Sequence, residues 1–377
     1  MKGRKILIFS RDPGGANAII PLIEPLRALE NDVSVYGKDA ALSIYQKRNI
    51  DSYDICDEIP SGTQEETNEF VRQTNPDLIV TGTSSEDFTE RHLWTAAERA
   101  KITSFAVLDQ WTNYRLRLIS EGDDPLDDHA SSKLIVPSFF FIMDEFAKTE
   151  MCKLGIDRER LLVTGQPFFD YIRKTADMHT TQEIEKLRRD LTGNENDQVF
   201  VFASQPIASV HRKNGMKEDY WGYTEQTVLK SVSRCLSKLS AEIAISMTLV
   251  IRLHPKDEPD VYENALATLP DSIKVVVDRG TDSSLLLKAS DLIIGMFSML
   301  LLEAAILERR FISVQIGLKR ENPLIFDRMG LIRSILTEQE LEETLRGILG
   351  EENREFPTPH FEFGATERIT KYLEGYR

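Results

Sequence analysis

The chain has 377 residues, 41% of them hydrophobic and 28% charged, and its 46 Lys and Arg against 61 Asp and Glu leave a formal net charge of −15. Such a chain is expected to be soluble and long enough for two domains of roughly 150 to 200 residues each. The acidic balance disfavours unspecific binding to nucleic acid or anionic lipid, because phosphate neutralisation by Lys and Arg supplies most of that affinity, and no apolar run approaches the roughly 20 residues that span a bilayer.

The start, Met1-Lys2-Gly3-Arg4-Lys5, leads into a short strand rather than a signal peptide, which points to the cytoplasm. Lys5 to Phe9 reads as that strand, and Ser10-Arg11-Asp12-Pro13-Gly14-Gly15-Ala16-Asn17 as a turn opening an amphipathic helix from Ala18 to Leu29. The glycine loop departs from the Gly-x-Gly-x-x-Gly fingerprint, which sets nicotinamide aside. Gly14 and Gly15 then serve either a tight turn or a close approach of backbone amides to phosphate. Asp12, just before them, is either an exposed turn aspartate or a catalytic base.

Strands are expected at Asp32 to Tyr36, Leu78 to Thr81, Thr103 to Leu108 and Lys133 to Pro137, with helical patterns between several of them, an alternation that implies a parallel sheet. Asp109-Gln110-Trp111-Thr112-Asn113-Tyr114-Arg115 follows one of these strands. Asp109 is a second base candidate there, with Trp111 and Tyr114 as stacking faces for a sugar and Arg115 as a charge partner. The plainer alternative is a structural ion pair and ordinary aromatic packing. Asp123-Asp124 and Asp127-Asp128 read as solvated acidic pairs. Leu161 to Pro167 forms the last strand and exit turn of this half, before the helical, charged stretch from Gln182 to Asp190 and a polar linker from Thr192 to Gln198.

A second alternation begins with the apolar strand and turn Val199 to Pro206, where Ser204 either approaches a phosphate or simply ends a strand. His211, Arg212 and Lys213 then lie in a loop before Tyr220-Trp221-Gly222-Tyr223, either a cover over substrate or a solvated basic run. Helix Glu225 to Leu239, strand Met247 to Ile251, helix Val261 to Leu269, strand Lys274 to Val277, helix Ser283 to Ala289, strand Leu292 to Ile294, helix Met299 to Glu308 and strand Phe311 to Val314 follow. Two repeats of this order argue for an α/β fold of two Rossmann-like domains facing each other across a cleft. The cysteines Cys56, Cys152 and Cys235 are odd in number and lack metal-ligand spacing, so they are expected to be buried and reduced. The scattered histidines and the lack of a fitting Asp-x-Asp give no metal site.

Two strand exits in the second half carry the most chemistry. Arg252-Leu253-His254-Pro255-Lys256 sets three potential cations at the carboxyl end of a strand, where open α/β sheets bind ligands. Gly295-Met296-Phe297-Ser298 lets the chain turn so that Ser298 caps the next helix, a start that attracts phosphate. Glu303 follows on that helix among Leu300, Leu301, Leu302, Ala304 and Ala305, where a carboxylate wants a partner. Their plainer readings are a structural histidine, a simple N-cap and a polar position on an apolar helix.

These elements, with Thr164-Gly165-Gln166-Pro167 and Ser204, resemble over nearly the whole chain the two-Rossmann, GT-B type glycosyltransferases and their relatives the nucleotide-sugar 2-epimerases. The His254-Pro255 and Ser298 to Glu303 elements look most like those of bacterial transferases that build capsule, teichoic-acid or sialylated polymers. The resemblance implies an acceptor-side domain over residues 1–180, a nucleotide-donor domain over 181–363 and a terminal helix, 364–377, crossing back onto the first domain. It further implies that Ser298 meets phosphate, Glu303 the ribose and His254 the leaving phosphate, with Arg252 and Lys256 sharing charge. The activity expected is metal-independent transfer from a cytidine or uridine nucleotide sugar to a carbohydrate or lipid-linked acceptor. Alternatives are a nucleotide-sugar 2-epimerase, which needs no acceptor, and a non-catalytic nucleotide-binding protein. Peripheral membrane association would need a local patch, and the oligomeric state is left open.

Overall fold

The computed structural model describes residues 3–123, 134–192, 197–213, 215–243, 245–254, 256–257, 262, 269, 273–350 and 359–376. The chain divides into two compact units: Met1–Tyr171 together with Phe361–Arg377, and Ile172–His360.

The first unit is built on seven strands: β1 (Lys5–Ser10), β2 (Asp32–Gly37), β3 (Tyr53–Asp54), β4 (Leu78–Thr81), β5 (Thr103–Val107), β6 (Phe139–Ile142) and β7 (Leu161–Val163). They lie in the order β3-β2-β1-β4-β5-β6-β7, every pair parallel. Strand alternation sends successive side chains to opposite faces, and both faces are covered. Ile6 and Ile8 pack with Ile19, Leu22, Ile23 and Leu26 of the Pro13–Ala28 helix, while Leu7 and Phe9 pack with Phe70, Val71, Leu93 and Ala97. The terminal helix Ala365–Gly375 contributes buried Ile369 and Leu373 to the first of these clusters. Asp170 caps it, accepting from the Gly364 N–H at 2.7 Å and the Thr366 N–H at 2.8 Å.

The second unit holds β8 (Gln198–Ala203), β9 (Met247–Arg252), β10 (Ile273–Asp278), β11 (Leu292–Gly295) and β12 (Phe311–Ser313), all parallel in the order β10-β9-β8-β11-β12. Phe200, Phe202, Leu249, Ile251, Leu292 and Ile294 form its central core with Val228, Leu229, Val232 and Leu236 of the Glu225–Ile243 helix. Capping boxes start two of its helices, Thr180 with Glu183 and Thr337 with Glu340.

Several expectations need correction. The strand expected at Lys133 to Pro137 is displaced: residues 134–137 carry no regular structure and the strand is Phe139–Ile142, because the apolar run beyond Pro137 has every N–H free for the ladder. Lys133 itself, Asp124, Asp127, Asp128 and most of the helix expected at Val261 to Leu269 lie outside the described residues. So do residues 193–196 of the expected linker, whose last residue, Gln198, opens β8. Gly14 and Gly15 sit in the first turn of the Pro13–Ala28 helix, since proline at a helix start is already in helical geometry. His211, Arg212 and Lys213 end a helix, Ile207–Lys213, instead of a loop. All three cysteines are free, but only Cys235 is buried; Cys56 is exposed.

Candidate functional site

In the second unit the strand order reverses between β8 and β11, and ligands of open parallel sheets bind outside the strand ends at such a point. The β8 exit supplies Ser204 and Gln205; the β11 exit supplies Met296, Phe297 and Ser298; β9, on the far side of β8, supplies Arg252 and His254. Gln205 Oε1 accepts the Phe297 N–H at 2.9 Å, locking the two central exits together. Behind them, Ser313 Oγ donates to the Met296 carbonyl at 2.6 Å, and the fully buried Gln315 donates to Ser313 Oγ at 3.0 Å while accepting from Tyr223 Oη at 2.9 Å. The loop that presents Ser298 is thus braced from within.

Ser298 is the N-cap of the Met299–Ile306 helix, its Oγ accepting the Leu300 N–H at 3.1 Å. Glu303, about one and a half turns further on, keeps partial access to solvent. Burial pushes its carboxyl up to about 7, the Asp282 carboxylate adding to the push and Arg252 opposing it. Arg252 and Glu303, 51 positions apart in the sequence, therefore share one end of this unit.

The expectation that Arg252, His254 and Lys256 alternate along an extended chain is corrected. His254 and Asp257 close a turn, the Asp257 N–H donating to the His254 carbonyl at 2.9 Å. Arg252 is committed to an ion pair with Asp278, and Lys256 is exposed. The Lys256 N–H donates to His254 Nδ1 at 3.1 Å, so the imidazole proton resides on Nε2. Burial pushes the His254 pKa down, with Asp257 opposing. Near neutral pH the ring is therefore an uncharged Nε2–H donor rather than a cation.

The Ser204 hydroxyl is turned to protein partners. It is buried, donates to Asp257 and pairs with Tyr262. Asp257 and Tyr262 carry no motif in the sequence; the one hint was an aspartate three places after a strand-end histidine, the spacing at which a carboxylate reaches back to a backbone N–H. Tyr220-Trp221-Gly222-Tyr223 packs as part of the fold, with Tyr223 buried and Gly222, at φ +99°, pressed against Gly317.

In the first unit the expected base Asp109 is buried and pairs with Arg117 at 2.7 Å, not with Arg115. Thr83 Oγ1 lies 3.2 Å from the same carboxylate oxygen, Oδ1. Burial pushes the Asp109 pKa up, and Arg117 pulls it back. Its other oxygen rests against Gly14: a Cβ there would fall 1.8 Å from Oδ2. Gly15 similarly lets the backbone of Gly82 approach. These glycines admit protein, a carboxylate in one case, where a ligand phosphate was an alternative. Asp12, half-buried, pairs with Arg11 at 3.0 Å. Trp111 is buried, its Nε1 donating to Asp144 at 2.7 Å and its ring stacked on Phe169, so it offers no free face to a sugar. Tyr114 and Arg115 are half-buried nearby. Among the described residues no three His, Cys, Asp or Glu side chains are grouped to hold a metal, and no helix is long and apolar enough to cross a membrane.

Two Rossmann-like units with this strand order define an α/β fold of the GT-B type. No family model matches the chain, and the comparison with curated proteins found no match. Among solved structures it resembles the UDP-GlcNAc 2-epimerase of Methanocaldococcus jannaschii, with TM-score 0.69 and 17% identity over 98% of this chain and 99% of the other. The UDP-GlcNAc 2-epimerase of Neisseria meningitidis, bound to UDP-GlcNAc, matches with TM-score 0.69 and 15% identity over 99% of this chain and 100% of its own. Anabaena HepE in complex with UDP and glucose matches with TM-score 0.59 and 17% identity over 99% and 100%. These likenesses overturn the expectation of a glycosyltransferase serving a polysaccharide or lipid-linked acceptor: several of the structures that match end to end are named for 2-epimerisation of a nucleotide sugar.

Proposed function

We propose that the protein is a nucleotide-sugar 2-epimerase-type enzyme acting, without a metal, on a uridine diphosphate sugar. The second unit holds the nucleotide. Ser298 and the first turn of its helix receive phosphate, where the helix dipole and free N–H groups favour negative charge. Glu303 accepts from the ribose hydroxyls, and the His254 Nε2–H donates to a phosphate oxygen of the leaving diphosphate. The observation that carries this reading is the gathering of His254, Arg252, Ser298 and Glu303 at one end of the second sheet, with Arg252 close enough to pull on the Glu303 carboxyl.

Taking the C2 proton as the diphosphate leaves C1 gives UDP and a sugar unsaturated between C1 and C2; adding UDP back at C1, with a proton delivered to the other face of C2, restores the glycosyl bond and installs solvent hydrogen at that carbon. The protein incubated with UDP-GlcNAc in D2O, with no acceptor, should yield the 2-epimer deuterated at C2, seen by proton NMR. His254→Ala should lower that rate at least a hundredfold while remaining folded. UDP binding with neither epimer nor exchange would leave a non-catalytic nucleotide-binding protein, and absence of UDP binding would remove the proposal altogether.

A further inference from the structure

Ser204, Asp257 and Tyr262 form a buried polar cluster beneath the His254 turn. Their residues are 4%, 8% and 1% exposed. The Ser204 hydroxyl has one hydrogen and gives it to Asp257 Oδ2, so the contact between the Ser204 and Tyr262 oxygens is made with the Tyr262 hydrogen. Asp257 Oδ2 also accepts the His254 backbone N–H at 2.8 Å. A chain of donors therefore runs Tyr262 to Ser204 to Asp257, and Asp257 holds the amide of His254. Arg279 reaches the Asp257 carbonyl at 3.1 Å, fixing the far side of the turn. In that turn the Lys256 N–H meets His254 Nδ1 at 3.1 Å.

We infer that Asp257 is a positioning residue, tied to β8 through Ser204 and to Tyr262, whose task is to hold the His254 turn so that the imidazole presents a single tautomer with its proton on Nε2. A free histidine in water exchanges between two neutral forms, and one that must donate to a phosphate oxygen loses strength whenever the proton sits on Nδ1. A carboxylate already accepting two hydrogen bonds in a buried network is a stiff anchor, since releasing either partner strands a buried polar group. This assignment rests on the reading of His254 as the donor to the nucleotide, but the turn and the tautomer can be measured without any ligand.

Nitrogen-15 NMR of the histidine side chains, with His254→Ala to assign the signal, reads the tautomer directly. The wild-type resonance should be that of an Nε2–H imidazole, and Asp257→Ala should move it to the averaged shifts of a free ring. Asp257→Asn, which keeps an acceptor oxygen for the His254 N–H, should restore most of the wild-type pattern. Should Asp257→Ala not fold, Ser204→Ala takes one of the two hydrogen bonds from Asp257 Oδ2, and the acceptor from the Tyr262 hydroxyl, and should partly average the same signal. UDP titration calorimetry closes the cycle: Asp257→Ala and His254→Ala should each weaken binding about tenfold, and the double variant no further. An unmoved tautomer in the Asp257 and Ser204 variants, or full additivity in the cycle, overturns the positioning role. If His254→Ala leaves UDP affinity intact while Asp257→Ala still shifts the tautomer, the functional reading of His254 fails and the positioning of its ring stands.

Discussion

Gly14 leaves room for the Asp109 carboxylate, whose Oδ2 atom would lie 1.8 Å from any Cβ placed on that glycine. The carboxylate thereby sits against the first turn of the Pro13–Ala28 helix while its Oδ1 pairs with Arg117. Gly14→Ala must push Asp109 off this position. Breaking a buried ion pair costs about 3–5 kcal/mol, and partial relaxation should leave a loss of about 2–4 kcal/mol in urea denaturation. A variant as stable as the parent would show that the contact relaxes freely.

Glu90 is 1% exposed, and neither carboxylate oxygen meets a donor of normal hydrogen-bond geometry among the described residues. Burial pushes its pKa up to about 8, with Asp87 and Asp12 adding to the effect. The unfolded chain ionises this group near the ordinary value of about 4.3, the folded protein only near 8. Its contribution is fully present below the unfolded value and is lost as pH rises to the folded one. Glu90→Gln should therefore flatten the fall of stability between pH 5 and 8 and leave the variant on the order of 1–3 kcal/mol more stable than the parent at pH 8. Parallel stability curves for the two proteins would refute the assignment.

Glu303 titrates near 7, so its role should appear in binding. If ribose hydroxyls donate to the ionised carboxylate, UDP affinity should rise as pH increases through 7 and then level. Glu303→Gln should bind several-fold more weakly at pH 8 and lose that rise. Calorimetric titrations at a series of pH values decide it, and an identical pH profile in the variant would remove Glu303 from the site.

Ile369 and Leu373 bury the terminal helix in the core of the first unit, at 0% and 1% exposure. Alanine at either position should cost about 2–5 kcal/mol in chemical denaturation. A loss below about 0.5 kcal/mol, ordinary for surface positions, would mean the helix is not held there.

Arg252 and Lys256 should separate cleanly. Arg252 is paired with Asp278, both side chains largely buried, so Arg252→Ala should lower the melting temperature. Lys256→Ala, at an exposed position, should leave it unchanged. Equal shifts would contradict the observed pairing.

Much of this architecture was legible from local patterns. Apolar runs such as Phe200 to Ala203 and Leu292 to Ile294, each bounded by turn residues, have the short length and unbroken apolarity expected of a doubly covered parallel strand, and they form β8 and β11. Ser298 as an N-cap was equally readable, because capping depends on residues within one turn. Tyr53–Asp54, only two residues long, left no pattern to read, and the strand near Pro137 was misplaced because local apolarity continues past it.

The partners of the charged side chains were decided by the tertiary structure alone. Asp109 meets Arg117 rather than Arg115, and Gly14 serves Asp109, because the loops after β1, β4 and β5 converge at adjacent strand ends. Trp111 turned inward to Asp144 and Phe169 for the same reason. His254 lost its supposed cationic neighbours to a turn that Asp257 closes from a buried network with Ser204 and Tyr262. Periodicity and capping are short-range properties of a chain, so the sequence by itself determined most of the longer elements and the parallel character of the sheets. Ion pairs, tautomers and buried polar networks depend on which strand ends the sheet order makes neighbours, and only the folded structure specifies that.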